Sequence, residues 1–335
     1  RGQTAETRYR YRHGHYDGER REFRGFAEVE EIESGDAWTP GIRRVFEFDL
    51  GADVTMSEAE RRALPAKTKA ARRAMTGAKV KAMIFSVDPA TGADRQLEQI
   101  DTEWAADLVD DTTDGSSWFA RAVATRTTTF AAHGPHRVTI EHLRHDADGD
   151  LAERQIEGGR LESGMMTPDL VLREAFTYAR GPARAAGWSP KALCERRSVN
   201  ALGTTLSLTR TYYDGEAFVG LPLGKMTAGA QMRVEELVCL EDAVFADFAE
   251  VDPASLGYRR ADLDGRPAWW RDRLRHRLKP SGTVVATQGP MDDVLVVERD
   301  LHDIYPLRSV NALGHVTEME IDPTVEAPAM LIHPS

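Results

Sequence analysis

Polar and apolar positions alternate along much of this chain, and the first run shows it most plainly. From Arg8 to Tyr16, Tyr9 and Tyr11 alternate with Arg8, Arg10 and Arg12. Side chains of a strand point to opposite faces in turn, so this pattern predicts one aromatic and one cationic face. Asp17-Gly18 then supplies residues that tolerate positive φ, as a two-residue hairpin turn requires. A second run follows with Phe23, Phe26, Val29 and Ile32, interrupted at Gly25, which predicts a bulge. Together they read as a long twisted hairpin. The acidic run "EVEEIE" after Ala27 is placed to pair with the arginines across it.

Further along, Ser34–Gly41 reads as a loop and Arg43–Leu50 as a short strand or irregular segment. Ser57–Met75 is the best helical stretch. Ser57 and Glu60 form a capping box, Ala, Arg and Lys favour helix, and Pro65 should divide it into two short helices. Its basic residues could mark a membrane or phosphate patch, but its apolar residues are mainly alanine, which favours a solvated face. Lys79–Asp88, "ARAVATRTTTFA" and "HRVTIEHLRHDADGDLAERQIE" carry on the β pattern. Pro168–Ala179 fits helix or strand. The Gly-, Ala- and Pro-rich stretch Ala179–Pro190 is the expected internal boundary, giving segments 1–180 and 181–335 with a helical insert near 57–76. Strands are expected at Thr204–Tyr213, Met232–Leu240, Thr283–Thr287, Val294–Leu301 and His315–Ile321, and helices at Cys239–Glu250 and Pro267–Leu278. Arg8–Tyr16 and His315–Ile321 are the expected first and last open edges.

Composition narrows the function classes. The chain has 335 residues and a net charge of −11, from 54 acidic and 43 basic residues. That balance argues against a dedicated nucleic-acid binder. Hydrophobic residues make up 41% and charged residues 29%, as a folded protein with much wetted surface needs. Cys194 and Cys239 are too few for a disulfide framework or a zinc site and read as buried free thiols. No apolar run reaches the length of a membrane span. The chain opens at the threshold of a strand, without an initiator methionine, which reads as a piece of a longer polypeptide or a processed chain.

Internal repetition changes the picture most. "RSVNALG" occurs at Arg197–Gly203 and again, identically, at Arg308–Gly314. Tyr-Asp-Gly occurs at 16–18 and 213–215, and further Asp-Gly turns end "DADG" (146–149) and "DLDG" (262–265). The units are strand–turn–strand, spaced too unevenly for a propeller or a regular solenoid.

These stretches resemble a family. "YRYRHGHYDGERREFRGF", "TYYDGEAFVGLPLGK" and "ERDLHDIYPLRSVNALGHVTEMEID" look like the tyrosine–aspartate (YD, or Rhs-type) repeats of the B component of bacterial Tc toxin complexes. "AARRAMTGAKVKAMIFSVD" resembles the insert that follows the first of these motifs there. The resemblance covers nearly the whole chain. It implies a mainly β fold of irregular hairpins, part of a curved, spiralling β-sheet shell with a few short helices. It also implies a secreted structural role: enclosing a cytotoxic cargo polypeptide before translocation. The implied partners are a cargo-carrying C component and a pore-forming A component, with no nucleic acid and no direct membrane insertion. Nothing in this chain matches that family's propeller or the distal self-cleaving end of Rhs cores. A one-layer wall also accounts for the tyrosines and arginines, which cover apolar area with their bodies and stay wet at their tips.

The candidate chemistry is thin. "DADGDLAERQIE" (Asp146–Glu157) has acids at places 1, 3, 5 and 12 of a calcium loop, but Leu151 stands where glycine belongs, so a hairpin turn is expected. Histidines cluster at His13/His15, His133/His136 and His142/His145; the two i, i+3 pairs could ligate a metal if helical, but both lie in β-patterned segments beside loops, so no metal is expected. "GLPLG" (220–224) lacks the Lys-Ser/Thr pair of a phosphate loop, and Lys225 alone does not replace it. The chain has no Gly-x-Ser-x-Gly elbow. No catalytic, cofactor or metal residue is therefore assigned, and no enzyme activity is expected. The alternative is a secreted YD-repeat cell-surface module that binds carbohydrate through Tyr212, Trp269 and Trp270.

Overall fold

The computed structural model describes residues 6–18, 20–36, 39–51, 56–112, 115–132, 134–162, 165–182, 189–240, 252–322, 324 and 327–332. It divides into two compact units, residues 1–173 and 174–335.

The first unit is an antiparallel meander: β1 (Thr7–Asp17), β2 (Glu22–Glu33), β3 (Gly41–Phe48), β4 (Lys79–Val87), β5 (Asp94–Thr112), β6 (Gly115–Ala131), β7 (Gly134–His145) and β8 (Leu151–Glu162). Each pairs with the next in chain order. Two short helices, α1 (Glu58–Ala63) and α2 (Ala66–Ala74), divide at Pro65 as expected. The capping box is made: Glu60 Oε2 accepts from Ser57 N at 2.7 Å, and Ser57 Oγ from Glu60 N at 3.3 Å. One cross-strand row carries four of the buried side chains, those of Glu30, Val45, Thr128 and Val138. Glu30 lies opposite Val45, then Met83, Gln99, Thr128 and Val138 follow. Gly159 closes the row opposite Val138, and a Cβ there would stand 2.1 Å from the Thr167 carbonyl, so only glycine fits.

β9 (Met165–Arg180) runs across the division, so Pro168–Ala179 is strand and not helix. The second unit continues with β10 (Lys191–Asn200), β11 (Thr205–Tyr213), β12 (Gln231–Cys239), β13 (Tyr258–Leu263), β14 (Arg266–Leu278), β15 (Val284–Gln288), β16 (Val294–Arg299), β17 (Pro306–Val310), β18 (Val316–Asp322) and β19 (Ala327–Ile332). β14 is its organising strand. It pairs with β12 along one edge, and with β13 and then β15 along the other. Pro267–Leu278, read as a helix, is this strand. Its helix-forming Arg and Leu residues yield to ladder bonds on both edges, and Ala268 and Trp270 are buried at the strand period of two. Among the described residues the last strand is β19, paired with β18, so His315–Ile321 is not the terminal edge. Of the helix expected at Cys239–Glu250, Cys239 ends β12 and residues 241–250 lie outside the described residues, as does half of the loop expected at Ala179–Pro190, residues 183–188.

The apolar core of this unit is small and gathers in two clusters. One joins Ala179, Cys194, Tyr213 and Met226; the other joins Leu208, Leu263, Ala268 and Trp270. Neither cysteine is in a disulfide; Cys194 is buried, while Cys239 is only half-buried. Among the described residues no helix is long and apolar enough to cross a membrane.

Candidate functional site

The conspicuous surface of the first unit is the hairpin β1–β2. Tyr9, Tyr11, Phe26 and Phe23 form one chain of ring contacts, with centroids 6.5, 5.0 and 5.2 Å apart in that order. All four remain exposed. Gly14 makes room for this row: a Cβ there would sit 3.1 Å from the Phe26 ring and 3.3 Å from Phe23. Arg10 and Arg12 are paired across the hairpin, as the acidic run predicted, while Arg8 pairs with its near neighbour Glu6 at 2.8 Å. Arg12 meets Glu28 at 2.9 Å, and Arg10 meets Glu30 at 3.3 Å. Arg43 reaches Glu30 at 3.1 Å from β3.

The expected bulge lies at Gly25, where φ is +101° and the register shifts. The turn, however, is longer than two residues, because β1 ends at Asp17 and β2 starts at Glu22. Asp17 is held from both sides, by the Arg20 amide and by the Arg24 guanidinium, and Arg21 takes the left-handed conformation. Arg24 also donates to the carbonyls of Leu50 and Gly51 at 3.4 and 3.3 Å, which ties the hairpin to the segment after β3.

The second Tyr-Asp-Gly does something different. Tyr213 is buried, and its hydroxyl donates to the Leu193 carbonyl at 2.6 Å. Asp214 is buried with φ +46°. Its Oδ2 accepts from the amides of Thr227, Ala228 and Gly229 at 2.6, 3.0 and 3.0 Å, and Oδ1 accepts from Ala230 at 3.0 Å. Burial alone would push this carboxyl up, but the four amides together outweigh it and hold the pKa below the usual carboxylate value. The tyrosine thus anchors the strand and the aspartate closes the 214–230 loop.

Arginine cages recur around buried carboxylates. Glu235 is met by Arg259 at 2.8 Å, Arg233 at 3.6 Å and Arg210 at 3.7 Å, and Tyr212 Oη donates to it at 2.6 Å. Burial first, and then Glu235, push the Tyr212 phenol far above its usual range, so it stays a donor. Arg233 stacks over the Tyr212 ring at 4.0 Å and Arg210 over Trp270 at 4.6 Å. Glu174 is buried in the same way against Arg196 at 2.6 Å. These carboxylates are committed to arginine, which suits a thin sheet with little apolar core.

Five hairpin turns share one design. In 146–150, 200–204, 279–283, 289–293 and 311–315 the first residue's amide donates to the fifth residue's carbonyl, and the fourth residue's amide donates back to the first residue's carbonyl. The fourth residue takes positive φ: Gly149, Gly203, Gly282, Asp292 and Gly314 at +84, +78, +88, +62 and +81°. This is the three-residue loop with a left-handed last residue. Asp146, Asn200 and Asn311 accept the amides of the third and fifth residues with their side-chain oxygens. The "RSVNALG" repeats are therefore two copies of a strand end and its turn. Within the 146–157 segment, 146–150 is a hairpin turn, as expected, and the rest belongs to β8. Asp146, Asp148 and Asp150 do draw together, but Asp146 Oδ1 does here what Asn200 Oδ1 does in its turn.

The other sequence candidates disperse. His133 lies outside the described residues. His13 sits at φ +55°, and His145 Nδ1 is 3.3 Å from Arg121. The carbohydrate candidates do not form an exposed platform: Trp270 is 1% exposed, and Tyr212 is occupied by Glu235 and Arg233. Sequence reasoning missed the aspartate-closed loop, although the Tyr-Asp-Gly that signals it was in view.

Residues 1–50 match the model of a family described as the insecticide toxin TcdB middle/N-terminal region. No curated protein matches the chain. Among solved structures, a TcdB2–TccC3–TEV crystal structure superposes over 98% of this chain with a TM-score of 0.74 at 13% identity. The Photorhabdus luminescens Tc holotoxin pore with TccC3 D651A does so over 98% with a TM-score of 0.73 at 14% identity. A TcdB2–TccC3–Cdc42 structure gives 0.69 over 98% at 13% identity. The chain spans 20%, 20% and 21% of those three chains. In fold, this chain is therefore like one stretch of the TcdB2–TccC3 structures, as its resemblance to the Tc toxin B component implied.

Proposed function

We propose that this chain is a structural wall segment of a Tc-type toxin B component. In this reading it forms part of a hollow β-shell that encloses a cytotoxic cargo polypeptide before translocation. Its partners are a cargo-carrying C component and a pore-forming A component. It is secreted, inserts into no membrane and catalyses no reaction. The observation that carries this reading is the superposition of 98% of the chain on a TcdB2–TccC3 structure. The committed carboxylates and the thin, turn-rich units fit a wall better than a catalytic cleft. The test compares the complete B–C assembly with one lacking Arg8–Phe26. Protease should spare the cargo in the first and digest it in the second; equal protection would sink the assignment of this hairpin to the wall. A secreted carbohydrate-binding module is the second reading, and the exposed Tyr9–Tyr11 row supports it. Glycan-array binding lost on Tyr11→Ala would favour that reading.

A further inference from the structure

The two "RSVNALG" copies carry an apolar residue that their fold does not need. The turn uses Asn for its side-chain acceptor and Gly for its positive φ. The residue between Ala and Gly has no such task. Turns with the same backbone bonds place Asp148 and Ser281 there. Yet both heptads place leucine there, and Leu202 is 89% and Leu313 80% exposed. Met291, at the same position of a third turn, is 63% exposed.

Topology puts these three tips together. The antiparallel order β10-β11-β12-β14-β15-β16-β17-β18 places turns 200–204, 289–293 and 311–315 at one end of the strands. Turn 279–283, with its polar Ser281, lies at the opposite end. At ~4.8 Å per strand, Met291 stands about 19 Å along the sheet from Leu202 and about 10 Å from Leu313. The opposite end also exposes Leu301 and Ile304, but both in one turn of different length, 300–305. Three apolar side chains on rigid, separately braced tips form a contact edge that hides almost none of its surface.

We propose that Leu202, Met291 and Leu313 dock on an apolar face of the adjoining shell wall. That wall is the remaining polypeptide of a B–C assembly; this fold matches 20% of the TcdB2–TccC3–TEV chain. The inference rests on the wall reading above. The tips act as pegs: each buries one apolar side chain in the neighbouring layer, while its backbone hydrogen bonds stay inside its own hairpin.

The test places a photo-crosslinking amino acid at 202, 313 or, as control, 281 in the full-length B polypeptide assembled with its C component. Crosslinks from 202 and 313 should map to shell polypeptide outside this chain, severalfold above those from 281. In the same assembly, Leu202→Ser with Leu313→Ser should fold normally, since Ser281 occupies that place elsewhere, but should lower the temperature at which protease reaches the cargo. Three results would overturn the docking: crosslinks to residues 241–251 of this chain, crosslinks to the cargo, or a yield no higher than at 281 in an assembly that still protects its cargo. If no assembly protects cargo at all, the wall reading fails and the docking falls with it.

Discussion

Asp214→Ala removes the acceptor for four backbone amides at one stroke. Gly229 and Ala230 are half-buried, while Thr227 and Ala228 are exposed and can turn to water. Each half-buried amide left unpaired costs about 1–3 kcal/mol. Alanine at φ +46° adds about 1 kcal/mol of left-handed strain that aspartate tolerates better. The sum is about 3–7 kcal/mol, a large part of the ~5–15 kcal/mol that holds an ordinary domain folded. Urea unfolding followed by tryptophan fluorescence should show this loss. Hydrogen exchange should accelerate first at 215–230. Asp214→Asn keeps one acceptor oxygen and should lose less. The aspartate pKa is lower folded than unfolded, so its contribution is present above the unfolded value near ~3.9 and is lost as pH falls through the folded one. The Asn variant should therefore lose less stability than the parent on acidification below about pH 4. A loss under about 1 kcal/mol for Asp214→Ala, with unchanged exchange in the loop, would refute the claim that this carboxylate closes it.

Glu235→Ala leaves Arg210, Arg233 and Arg259 without their shared carboxylate and should cost about 3–5 kcal/mol by denaturant titration, whereas Arg259→Ala, which removes one exposed partner, should cost far less. Gly203→Ala and Gly314→Ala each force alanine to φ near +80° and should cost about 1 kcal/mol apiece, adding within ~0.5 kcal/mol in the double variant because the turns are separate. Burial pushes the His276 pKa down, so the unfolded chain takes up its proton first as pH falls. Stability should thus decline below about pH 6.5 toward the folded pKa, and His276→Gln should flatten that slope in a pH series of melting curves.

Much of the local structure was legible because it depends on near neighbours in the chain. Tyr9 and Tyr11 alternate with arginines whose partners, Glu28 and Glu30, lie a hairpin away. Asn-Ala-Leu-Gly and Asp-Ala-Asp-Gly determine a turn within five residues, because an amide or carboxylate oxygen and a left-handed glycine suffice for it. Pro65 divides the helix wherever the helix lies. Tertiary structure decided the rest. β14 is a strand, although its Arg- and Leu-rich sequence favours helix, because β12, β13 and β15 together offer its backbone a ladder on both edges. Tyr-Asp-Gly is an exposed turn at 16–18 and a buried clasp at 213–215. The three residues are the same; the difference lies in what surrounds them. Asp17 meets a guanidinium, and Asp214 meets four amides delivered by a loop that begins at the aspartate itself and returns to it. Short-range sterics write the turns into the sequence, while burial and partners exist only once strands distant in the chain stand side by side.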